Sequence, residues 1–383
     1  MLLLITVSSV MADNVGLVSA FGLKVVLCSI ADRHDADIIS QMSKPNRSNL
    51  RHSSALVSRV LVSSVDDHAP LIVVGLPRSG SSLLSDIISQ TDGWYIFDDL
   101  YLTEYVDENG LHNPLTQQQL SNMLEFLGWQ IRARMRHKPF AIPKMGEDEI
   151  EPMNEAIQAA FSGQQPRWWN VQREWLMRLS IVNGCRGWGY NHPGSFLSVD
   201  ALWKIYPDAR FLFLFRNPQN VLASFKHLAD GHNDGNSLQY HPLFYSLYWR
   251  KSVQAYQQAK AKRPGSVAFV RFEDIIASPV AVITSINEAF SFDAKGKVSL
   301  PPANSSFSGK RKGINGIENN LLRRLAHKEI SALGYEFPHV PVRSNDYVDL
   351  MITTVKFAIY SIRHRLTNAA KLKKLFRMLT NGN

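Results

Sequence analysis

The segment LIVVGLPRSGSSLL, residues 71–84, constrains the fold of this chain more than any other. Four apolar residues lead into Gly75, a loop of small residues around one arginine follows, and apolar periodicity resumes after Ser82. A buried strand that passes through a glycine loop into a helix start aims several backbone N–H groups at one point. That arrangement binds phosphate-like anions. Gly75 and Gly80 are spaced as in the triphosphate-binding pattern G-x-x-x-x-G-K-[ST]. Here, however, Ser81 stands in the lysine's place and the cation, Arg78, lies inside the loop. The segment predicts an anion cradle that is not built for ATP or GTP.

The rest of the chain alternates short apolar runs with helical patterns. Residues 94–97 read as a buried strand ending at Asp98-Asp99, residues 211–215 as a second, and residues 267–272 as a third. Helices are predicted over 82–90, 116–136, 147–161, 168–182, 198–206, 220–228 and 244–260. This alternation predicts an α/β fold, a three-layer sandwich with a central parallel sheet, and the near-match of the 75–82 loop makes it P-loop nucleotide-hydrolase-like. Residues 1–69 read as a poorly defined N-terminal extension, 70–340 as one domain, and 341–383 as a basic amphipathic tail.

The formal charge of +9 suggests nucleic acid until its location is considered. After Asp349 the chain has no acidic residue, while Lys356, Arg363, Arg365, Lys371, Lys373, Lys374 and Arg377 are all cationic. The body is therefore close to neutral, and no nucleic-acid partner is expected. Such a tail either docks as a helix on its own domain or makes peripheral contact with an anionic membrane. The apolar start of the chain lacks the basic flank of a signal peptide, and Cys28 and Cys185 are too few for a disulfide framework. A cytoplasmic setting, with membrane association through the tail as the alternative, is expected.

A second cation, Arg216, directly follows the apolar run 211–215, at the strand edge where open α/β sheets bind ligands. Ser224 lies about two turns further along the helix that Pro218 begins. From these residues the chain resembles the sulfotransferases that use 3′-phosphoadenosine 5′-phosphosulfate (PAPS). Pro77-Arg78-Ser79-Gly80-Ser81-Ser82 is similar to their 5′-phosphosulfate loop, and Arg210–Ser224 to their 3′-phosphate strand and helix. Val270-Arg271-Phe272-Glu273-Asp274 and Leu333-Gly334-Tyr335 resemble two later motifs, all in collinear order. The resemblance implies that Pro77 to Ser82 hold the phosphosulfate, with Arg78 also assisting transfer, and that Arg216 and Ser224 hold the 3′-phosphate. It further implies that Arg311, Lys312 and Gly313 form a basic segment closing over that phosphate. PAPS is then the donor and no metal is expected.

The base that takes the acceptor's proton is open among Asp98, Asp99 and His192. Either aspartate alone fits a helix cap or a solvated turn equally well. His192 lies in Trp188-Gly189-Tyr190-Asn191-His192-Pro193, similar to a W-G-x-K-x-P segment of related enzymes, but with Asn191 at the lysine's position. The tryptophans at 168, 169, 175 and 188 suit either acceptor stacking or the core. The function expected is sulfuryl transfer from PAPS to a hydroxyl, on a carbohydrate or glycolipid. The alternatives are a P-loop nucleotide or small-molecule kinase, or an inactive nucleotide-binding protein of the same fold.

Overall fold

The computed structural model of the chain describes residues 69–111, 113–137, 140–231, 240–301, 313–336 and 338–367. The predicted N-terminal extension, apart from its last residue, and the candidates Arg311 and Lys312 lie outside the described residues, as does the tail beyond Thr367. Two compact units emerge. Of the described residues, one is built from those up to Leu214 and from Ala259–Leu300, the other from Phe215–Gln258 and those from Pro301 onward.

The sheet comprises β1 (Leu71–Gly75), β2 (Trp94–Phe97), β3 (Gly187–Asn191), β4 (Arg210–Phe215) and β5 (Val267–Arg271), in the order β2-β3-β1-β4-β5. The β1–β3, β1–β4 and β2–β3 ladders are parallel, with Val73 opposite Asn191 and Gly75 opposite Leu214. β1 and β2 are buried throughout, which is why each reads as an unbroken apolar run with no polar alternation. Helices packed on both sides of the sheet leave these strands no face for water.

In the first unit the helices are α1 (Ser81–Ser89), α2 (Leu102–Glu108), α3 (Gln117–His137), α4 (Ile150–Ala160), α5 (Trp168–Val182) and α6 (Val199–Ile205). In the second lie α7 (Pro218–Gly231) and α8 (Pro242–Lys262), whose last residues belong to the first. Chain order then gives α9 (Phe272–Ala277) and α10 (Pro279–Phe290) in the first unit, and α11 (Gly316–Ala332) and α12 (Ser344–Thr367) in the second. On one sheet face, Leu71, Val73 and Leu212 pack with Leu84 and Ile87 of α1 and Ile286 of α10. On the other, Trp175 of α5 meets Phe97 edge-on with ring centroids 5.0 Å apart. The first unit is thus a three-layer α/β sandwich. Burying Leu84, Ile87 and Ile88 stabilises the α1 contact by about 1.5–3 kcal/mol per side chain.

β3 is absent from the sequence-based strands, because GWGYN carries two glycines. The packing requires them. A Cβ on Gly187 would lie 2.5 Å from Cδ1 of Trp94, and one on Gly189 would run into the main-chain oxygen of Leu71. Trp175 and Trp188 are core, and Trp168 is also buried.

In the second unit, α11 starts at a capping box. The Asn315 side chain accepts from the Glu318 N–H at 3.0 Å, and Glu318 accepts from the Asn315 N–H at 2.7 Å. The same carboxylate holds Lys226 at 3.0 Å and the Tyr240 hydroxyl at 3.1 Å.

Candidate active site

The loop after β1 begins with a turn in which the Ser79 N–H donates to the Leu76 oxygen at 3.2 Å. Pro77 occupies the first inner position and Arg78 the second, with φ +71°. Proline then a left-handed residue is the type II pattern, but the second position normally takes glycine. Arginine held there costs about 1–3 kcal/mol of backbone strain, of the kind stored at ligand sites. Gly80 follows with φ +96° as the N-cap of α1, and no side chain caps that helix. A Cβ on Gly80 would run into the Phe272 ring, so the V-R-F-E-D segment closes over the glycine. The first N–H groups of α1 have no side-chain cap and lie at the positive end of the helix dipole, a setting that favours negative charge. Ser79 and Ser81 are buried, while Pro77, Arg78, Gly80 and Ser82 are partly exposed.

Ser82 links the loop to β2, since its side chain hydrogen-bonds to Asp98. Asp98 is fully buried. Its Oδ2 accepts from Arg134 Nη1 at 2.8 Å, its main-chain oxygen accepts from Nη2 of the same guanidinium, and its Oδ1 accepts from Asn191 Nδ2 at 2.6 Å. Burial raises the Asp98 pKa, and the neighbouring Asp99 raises it further. Arg134 and the hydrogen bonds from Asn191 and Ser82 oppose the rise. Asp99, with φ +53°, is more exposed and lies 3.9 Å from Arg134 Nη2. The structure therefore brings Ser82 of the loop, Asn191 of β3 and Arg134 onto the Asp98 carboxylate, with Asp99 beside the same guanidinium.

Arg134 was not among the candidate residues. Its signal is the register of α3. Leu120, Leu124, Leu127, Ile131 and Arg134 all fall on the buried stripe. A charge at a core position requires a partner. Asn191, which stands where related segments carry lysine, is fully buried, and its Oδ1 has no hydrogen-bond partner among the described residues. His192 is half-buried. Its Nδ1 lies 2.6 Å from Ser195 Oγ, and its ring meets Tyr101 edge-on at 5.9 Å.

In the second unit, Arg216 follows β4 directly and is half-buried, its carbonyl accepting from Trp249 Nε1 at 3.1 Å. Ser224 is a half-buried residue of α7. That helix starts at Pro218, where Asn217 Oδ1 accepts from the Gln219 N–H at 2.9 Å. Gly313 is exposed with open space around its Cα. Among the described residues, no group of three His, Cys, Asp or Glu side chains could hold a metal ion.

The model of the sulfotransferase family matches residues 70–294. No curated protein matches the chain. Among solved structures, the sulfotransferase domain of the Synechococcus PCC 7002 olefin synthase is 17% identical. That match covers 72% of this chain and 99% of the other, with a TM-score of 0.41. The sulfotransferase domain of the curacin biosynthetic pathway is 16% identical over 70% of this chain and 99% of the other, with a TM-score of 0.43. Sulfotransferase STF9 from Mycobacterium avium is 16% identical over 75% and 81%, with a TM-score of 0.39. The family model spans more than half of the 383 residues, from the strand before the anion loop to beyond the helix after β5, and on that extent the chain belongs to the sulfotransferase family.

Proposed function

We propose that this chain transfers a sulfuryl group from PAPS to a hydroxyl of a carbohydrate or glycolipid, with residues 70–340 as the catalytic domain. The observation that carries this reading is the loop 76–82. It offers an uncapped helix N-terminus and a strained arginine, but no lysine after Gly80. Lysine at that position serves the terminal phosphates of a triphosphate; a phosphosulfate carries less charge there and needs less compensation.

In this mechanism the N–H groups of residues 79–82 and the Arg78 guanidinium hold the phosphosulfate and stabilise charge on the leaving phosphate. Arg216 and Ser224 hold the 3′-phosphate, which sets PAPS apart from ATP. Asp99 accepts the acceptor's hydroxyl proton as that oxygen attacks sulfur in line. The S–O bond to the phosphate breaks, and 3′-phosphoadenosine 5′-phosphate departs. Asp98 positions Asp99 through the shared Arg134, since both its oxygens already accept hydrogen bonds. His192 is assigned to acceptor binding.

The test is transfer of labelled sulfate from PAPS to a panel of sugar and glycolipid hydroxyls. Asp99→Asn should lower turnover by about 10²–10⁴-fold while leaving donor affinity unchanged. Activity within a few-fold of the parent would remove Asp99 as the base, and no transfer to any sugar-bearing acceptor would remove the acceptor class.

A further inference from the structure

The C-terminal helix α12 has two different faces. Its inner face is docked: Tyr360 is buried, Thr354 Oγ1 lies 3.1 Å from Nε2 of His241, and Phe357 packs against His241 and Phe244. Asp346 fixes its start by accepting from the Gly316 and Arg343 N–H groups at 3.1 and 3.0 Å. The helix is therefore held to its own unit. Its outer face is apolar and, among the described residues, uncovered. Val348, Met351, Ile352, Val355, Ile359 and Ile362 are each 46–63% exposed. With Tyr347 they fall within an arc of about 140° on the helix, along a rod about 36 Å long.

The charges name the occupant. By helical spacing Lys356 sits at one border of the apolar stripe, and the sequence beyond it carries Arg363, Arg365, Lys371, Lys373, Lys374 and Arg377 with no acidic residue after Asp349. Cations flanking an apolar stripe suit a helix lying in a lipid interface, its apolar side chains among the acyl chains and its cations at the headgroups. A second copy of this chain docking on the same face would bring two such cationic segments together. Residues 1–68 have nearly equal numbers of acidic and basic residues and offer no complementary field. Among the described residues no helix is long and apolar enough to cross a membrane.

We propose that the outer face of α12 is a docking surface for an anionic phospholipid bilayer, to which the positive charge of the C-terminal sequence adds attraction. This stands apart from the sulfuryl-transfer reading and does not depend on it. The experiment is co-sedimentation of the full chain with vesicles of phosphatidylcholine alone or mixed with phosphatidylserine. Binding should appear only with the anionic vesicles. A variant with Lys371→Gln, Lys373→Gln and Lys374→Gln should partition about a hundredfold less. A second variant, Met351→Gln, Val355→Gln and Ile359→Gln, should lose binding while keeping its circular dichroism and thermal midpoint, because all three side chains are exposed. Equal binding to both vesicles, or retained binding in the second variant, would overturn the proposal. So would absence of vesicle binding, including the case of a dimer that the second variant dissociates.

Discussion

At the scale of the residue, the site turns on the charge balance around Arg134. A carboxylate as buried as Asp98 stays ionised only where its partners replace the water it has lost, and Arg134 supplies the opposing charge. Arg134→Met should therefore destabilise the fold by about 3–5 kcal/mol in denaturant unfolding, with part of the loss restored when Asp98→Asn is added. A double variant no more stable than Arg134→Met would mean that the cost is packing rather than an unpaired charge. Arg78 gives the opposite test. Glycine accepts φ +71° without strain, so Arg78→Gly should not lower stability yet should weaken donor binding about tenfold or more. Loss of stability with binding intact would remove Arg78 from the cradle. Arg134 was legible in the register of α3 as a charge on an apolar stripe, but its partner was not. Spacing along a helix says which residues face inward, not which loop will meet them.

At the scale of the element, β1, β2 and β4 were legible because strands buried on both faces are apolar at every position. β3 was not, because its two glycines are dictated by Trp94 and by the Leu71 carbonyl, neighbours that exist only once the sheet has formed. The short helices α2 and α9 were missed for a related reason: at seven and six residues they are too brief to show a period. The tail helix was legible as amphipathic, but which part of it would dock awaited the structure. Its anchor titrates. Burial lowers the His241 pKa to about 4, from an ordinary value near 6.5. The unfolded chain then binds more protons than the folded one between those values, so stability rises with pH across the window and falls on acidification. Unfolding at pH 5 should require about 2 kcal/mol less than at pH 7 from this group. His241→Asn should remove that difference. Persistence of the full difference in the variant would place its origin elsewhere.

At the scale of the whole molecule, the informative property is the order of the motifs. The anion loop, the arginine after β4 and the V-R-F-E-D segment are far apart in sequence. The first and last already meet in the structure, where Phe272 closes over Gly80. Which hydroxyl accepts the group, within the sugar-bearing class expected, was not legible, because acceptors are selected by segments between motifs and carry no common spacing. The donor is where the account is most exposed. Isothermal titration of the full chain with 3′-phosphoadenosine 5′-phosphate and with ATP, both without added metal, tests it directly. The phosphoadenosine phosphate should bind tighter than ATP by about tenfold or more, and Arg216→Ala should remove most of that preference. Equal or tighter binding of ATP, or no binding of 3′-phosphoadenosine 5′-phosphate, would contradict the account.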